Sequence, residues 1–136
     1  MIRGKIVDMK HFYRLKKIIL ENDGELSVLK KYGFKRLNCT NSESNRVWIN
    51  KSLGIVAKIP YICAYGSKLK GKIPTLSFEV NAYFRCFIQP LAERHDLAKA
   101  ERAILKMNGG WDNIDEEDIA KRNCGWYQGK AVIFDW

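Results

Sequence analysis

The sequence predicts an α+β fold: N-terminal helices, an antiparallel sheet of about five strands, then a helix and a C-terminal β-hairpin. Three observations predict it. Apolar residues recur at helical spacing over residues 9–32 and again over 97–107. Short β-branched and aromatic runs fill residues 34–91. A Gln-Gly pair then separates two further short runs near the C-terminus.

Each element has a local reason. Asp8 precedes a stripe of Met9, Phe12, Leu15, Ile18 and Ile19, and Asp23-Gly24 follows it, so Asp8 is an N-cap and Gly24 a helix stop. Residues 25–32 form a short second helix closed by Gly33. Residues 34–37, 46–50 and 55–59 are strands of a meander. The polar loop 39–45 and the turn 51–54 join them, and Pro60 ends the third. Residues 64–73 read as an exposed loop, and 75–84 and 85–91 as the remaining strands, ended by Pro90. Asp96 caps a helix with Leu97, Ala100, Ile104 and Met107 on one face, stopped by Asn108-Gly109-Gly110. A Gln128-Gly129 loop pairs residue 127 with 130, so Asn123 falls opposite Phe134 and Arg122 opposite Asp135. The chain is expected to be one domain: a helical extension 1–33, a sheet 34–92, and a helix with hairpin 93–136.

Charge is unevenly divided. The 136 residues carry a net +9, yet residues 1–92 hold 17 Lys/Arg and 6 Asp/Glu while 93–136 hold 7 and 9. Asp112, Asp115, Glu116, Glu117 and Asp118 form a tight acidic group. A basic excess of this size implies an anionic partner. No apolar run approaches the ~20 residues a bilayer span needs. Met1 to Lys5 is too short and polar for a secretion signal, so a cytoplasmic location with reduced thiols is expected. The cysteines at 39, 63, 86 and 124 include no Cys-x-x-Cys pair and accompany only two histidines, which argues against structural zinc. Each is expected to be a small buried or half-buried apolar residue.

The C-terminal segment carries the chemistry. Asp118-x-x-x-x-Asn123, an intervening hairpin and Asp135 after Val132-Ile133-Phe134 resemble the catalytic loop and metal-binding segment of protein kinases. Asp118-Ile119-Ala120-Lys121-Arg122-Asn123 is similar to the tyrosine-kinase form of that loop. Upstream, Val56-Ala57-Lys58-Ile59 resembles the strand bearing the kinase phosphate-binding lysine, and residues 87–93 fall where the hinge between kinase lobes lies. Small kinase-like proteins of bacteria and phages are similar, often with the Gly-Trp and closing Asp-Trp found here at 125–126 and 135–136. The resemblance spans residues 34–136.

The resemblance implies ATP and Mg²⁺ as ligands. Lys58 would hold the α- and β-phosphates, and backbone groups of Gln89 to Leu91 would meet the adenine. Asn123 and Asp135 would coordinate Mg²⁺, and Asp118 would accept the proton of the attacking hydroxyl. The pattern also departs from the family. The phosphate-covering segment 41–45 lacks glycine and contains Glu43, and Glu116-Glu117 stand where kinases place His and Arg. Glu79, in a strand, is a poor partner for Lys58, and Trp136 precedes anything matching the activation segment and the substrate-binding helices. The implied protein is a minimal or truncated kinase, even a pseudokinase, that binds nucleotide with weak or no phosphotransfer.

A second expectation rests on charge alone. A non-catalytic regulator, of a size that fits a phage-encoded protein, would bind an acidic host protein through the basic face of residues 1–92, including Lys10, Arg14 and Lys17. Nucleic acid is the weaker candidate, because neither a Cys/His finger nor an RNA-binding strand motif occurs.

Overall fold

In the computed structural model, residues 8–37, 47–59, 70–82, 84–110 and 124–134 are described. The first helix, α1, spans Met9–Glu21, and Asp8 caps it by accepting the Lys10 amide at 2.9 Å. Phe12, Leu15 and Ile19 are buried, whereas Met9 is 43% exposed, so the buried stripe is narrower than the sequence pattern suggests. The predicted second helix is a 3₁₀ helix, Leu26–Tyr32. Glu25 caps its start and a left-handed Gly33 ends it.

Five antiparallel strands follow: β1 (Lys35–Arg36), β2 (Val47–Asn50), β3 (Ile55–Lys58), β4 (Leu76–Glu79) and β5 (Arg85–Pro90). Their order across the sheet is β1-β2-β3-β5-β4, so β5 lies between β3 and β4. One sheet face packs on the helices. Trp48, Ile55, Ala57, Phe78, Cys86 and Ile88 join Phe12, Leu15, Ile19, Leu26, Leu29 and Phe34 in a single apolar cluster. Asn50 ties the 3₁₀ helix to the sheet: its Nδ2 donates to the Tyr32 carbonyl and its Oδ1 accepts from the Leu53 amide, both at 2.9 Å. These elements make up one compact unit, Val7–Cys63 with Thr75–Leu91.

The other unit comprises Met1–Ile6, Ala64–Pro74 and Ala92–Trp136. Its helix α2 spans Leu97–Met107 and buries Ala100, Ile104 and Leu105, while Met107 is 44% exposed. Asp96 occupies the N-cap position in a left-handed conformation, φ 44°, and its side chain makes no capping bond. The hairpin is β6 (Cys124–Tyr127) with β7 (Lys130–Ile133), in the register set by the Gln128-Gly129 turn: Tyr127 opposite Lys130 and Cys124 opposite Ile133. Positive φ at both turn residues matches the twist of the strands. Ala100, Ile104 and Leu105 pack with Cys124, Ala131 and Ile133.

The expectation of an exposed loop over 64–73 fails where the structure describes that segment. Ile73 is 1% exposed, its amide donates to the Ile133 carbonyl, and the Ile133 amide donates to the Gly71 carbonyl, both at 2.8 Å. Backbone pairing to β7 buries a residue that stands among polar neighbours in the sequence. Among the described residues, no helix is long and apolar enough to cross a membrane.

Candidate functional site

Side chains alternate along a strand, so the sheet face turned away from α1 carries a different set of residues. On β3 these are Val56 and Lys58; on β5 they are Phe87 and Gln89. Lys58 pairs with Val47 on β2 and with Phe87 on β5, and Val56 pairs with Gln89. This face is buried as well: Lys58 is 8% exposed, Gln89 2%, Phe87 3% and Val56 7%. The sequence alone permits an ordinary solvated strand lysine at position 58. The structure instead gives a lysine flanked by apolar side chains, a position rare for an ammonium group.

Gln89 Oε1 accepts a hydrogen bond from Thr75 Oγ1 at 3.4 Å. Leu91 follows β5, and its amide donates to the Gly54 carbonyl at 2.8 Å, tying the post-β5 segment to the β2–β3 turn. Glu79 forms a partly exposed ion pair with Arg85 at 3.3 Å.

Beside Lys58, on the helix side, lies Cys86. Burial pushes its thiol from 9.0 up to about 12, and a hydrogen bond from the Lys58 main chain offsets part of that rise. Cys124, on β6, is pushed up to about 11 by burial and by the Glu101 carboxylate.

Asp118, Asn123 and Asp135 lie outside the described residues, as do the loop 41–45 and the pair Glu116-Glu117. The hairpin whose ends they adjoin in sequence has the register expected of it. Its remaining anchors belong to the same unit. Trp126 Nε1 donates to the His95 carbonyl at 2.8 Å, its ring stacks on the His95 ring at 6.0 Å, and Trp126 and Glu93 exchange backbone hydrogen bonds. Among the described residues, no group of three or more His, Cys, Asp or Glu side chains could hold a metal ion.

One feature of the unit Val7–Cys63 with Thr75–Leu91 escapes the sequence pattern. A cleft of about 590 Å³ opens between the α1–3₁₀ turn and the sheet. Trp48, Ile59 and Phe84 contribute apolar walls, Lys30 and Arg36 are cationic, and Asp23 and Glu25 add carboxylates. Its lining comes from five separate stretches of chain, so no contiguous motif announces it. The chain matches no family model, no curated protein and no solved structure.

Proposed function

We propose that the chain is a minimal kinase-like protein that binds ATP with Mg²⁺ and transfers the γ-phosphoryl group weakly or not at all. The observation that carries this reading is the buried Lys58 on the sheet face it shares with Val56, Phe87 and Gln89. A lysine only 8% exposed suits an anionic ligand, because a charge-assisted hydrogen bond strengthens away from water. Val56 and Phe87 would contact the base, and the carbonyl of Leu91 would accept from the adenine amino group. Asn123 and Asp135 would supply hard oxygen ligands, and Mg²⁺ on them would neutralise charge on the phosphates. Asp118 would take the proton of an acceptor hydroxyl.

Weak or absent transfer follows from the same residues. A segment 41–45 without glycine lets fewer backbone amides approach a phosphate, and Glu43 opposes it electrostatically. A cytoplasmic setting, where ATP is abundant and thiols stay reduced, belongs to this proposal.

Thermal unfolding with and without ATP and Mg²⁺ tests it. A ligand held by the native state alone raises stability by about 2.7 kcal/mol at a hundred times its Kd. The expected result is a rise in Tm for the wild type that Asp135→Asn diminishes. An unchanged wild-type Tm at millimolar nucleotide overturns the reading.

A further inference from the structure

We infer that the outer face of α1, the 3₁₀ helix and β1, together with the Trp48 cleft, is a docking surface for an acidic polypeptide segment that carries an apolar side chain. This inference uses none of Lys58, Gln89 or Leu91 and stands apart from the nucleotide reading.

The first observation is unpaired positive charge. Lys10, Arg14 and Lys17 recur at helical spacing on the exposed side of α1, Lys30 and Lys31 are exposed on the 3₁₀ helix, and Arg36 is exposed on the edge strand β1, on the face it shares with Trp48. The stretches adjoin: the Arg14 guanidinium lies 6.0 Å from the centre of the Tyr32 ring, at the end of the 3₁₀ helix, and β1 follows Gly33 and Phe34. Among the described residues, none of these six cations pairs with a carboxylate. Unpaired like charges on one face repel each other, and an acidic partner relieves that repulsion.

The second observation is that this charge leads into the cleft. Lys30 and Arg36 belong to both, and about 590 Å³ is ample for a large apolar side chain and its neighbours. Leu26, Ile59 and the 38%-exposed Phe84 give that side chain an apolar wall.

The same cleft argues for polypeptide over nucleic acid. Trp48 is 6% exposed and the Lys30 ammonium lies 5.7 Å from the centre of its ring, so the indole is not presented for base stacking. Asp23 and Glu25 line the cleft and would repel a phosphate chain, which carries charge at every step, whereas a peptide can place its uncharged apolar residues and backbone amides there and keep its carboxylates on the cationic face outside.

The test uses the full chain and fluorescence anisotropy. The labelled probes are a short Asp/Glu peptide with a central Leu-Phe pair, the same peptide with Ser-Ser at its centre, and a short duplex DNA. The Leu-Phe peptide should bind about tenfold more tightly than the Ser-Ser peptide, and added salt should weaken both. Lys30→Glu with Arg36→Glu should weaken the Leu-Phe peptide by about tenfold or more. Phe84→Ser, which leaves the charge intact, should shrink the advantage of the Leu-Phe peptide over the Ser-Ser one. The inference is overturned if neither peptide binds, if both bind equally, if the charge reversal changes nothing, or if the duplex binds more tightly than the Leu-Phe peptide at the same salt.

Discussion

Lys58 lies directly opposite Phe87 across the β3–β5 ladder, and Gln89, two residues further on, occupies the same face. A lysine in such a position serves either a ligand or an internal partner, and one substitution separates the two. Lys58→Met keeps the volume and removes the charge. If the lysine serves a nucleotide, the variant should stay within about 1.5 kcal/mol of wild-type stability and lose the ATP·Mg²⁺ shift in Tm. A loss of about 3–5 kcal/mol would mark Lys58 as half of a buried pair instead. Urea unfolding and nucleotide titration on the same samples read both quantities.

Asn50 is 4% exposed and satisfies two backbone groups, the Tyr32 carbonyl and the Leu53 amide. Asn50→Ala should cost about 2–3 kcal/mol, because both groups lose their partner inside the fold. Asn50→Asp keeps the acceptor for Leu53 but sets a carboxylate against the Tyr32 carbonyl. Its charged form is disfavoured in the folded state, so its deficit should grow as pH rises through the carboxylate range. Urea midpoints across that range check the sign.

Gly24 and Gly129 share nearly the same backbone, φ +79° and +77°, but not the same surroundings. A Cβ on Gly24 would run into Val80 Cγ1, whereas one on Gly129 meets nothing within 4 Å. Gly129→Ala should therefore show the left-handed backbone penalty alone, about 1 kcal/mol. Gly24→Ala should cost about 1–3 kcal/mol more, since the α1 turn must move off β4's end. Calorimetry on the two variants gives the difference directly.

The thiols of Cys86 and Cys124 hold their protons in the folded chain well past 9.0, to about 12 and about 11. In the unfolded chain they release them near 9.0. The unfolded state then binds fewer protons, so this contribution is complete below pH 9 and stability falls as pH rises toward 11 and 12. Urea midpoints should decline over that interval, and Cys86→Ala should flatten the decline. Native-state alkylation at neutral pH should leave both cysteines unmodified, as site-resolved mass spectrometry would show.

Features set by neighbours in sequence were legible from it. The Asp8 cap, the Gly33 stop and the hairpin register are fixed within a few residues by side-chain capping or turn geometry. Features set by distant contacts were not. Nothing local places β5 between β3 and β4, pairs Gly71 and Ile73 with Ile133, or withdraws Lys58 from water. Asp96 shows the limit of a local rule: the residue type suits a cap, but its left-handed backbone leaves the side chain without a capping bond. For the candidate site, the lysine was legible by type and the burial that sets its chemistry was not. The cleft drew on residues too scattered for any pattern.

The interleaved position of β5 bears on synthesis. Among the described residues, β4 pairs in the sheet with β5 alone, and β3 reaches β4 through it. A nascent chain that has emerged only as far as Phe84 therefore displays an apolar Ile55-Val56-Ala57 edge with its second partner still inside the ribosome. Such an edge is a template for pairing between chains. Crowded translation should thus be the most hazardous moment in the life of this fold, and the arrival of residues 85–90 should end the hazard.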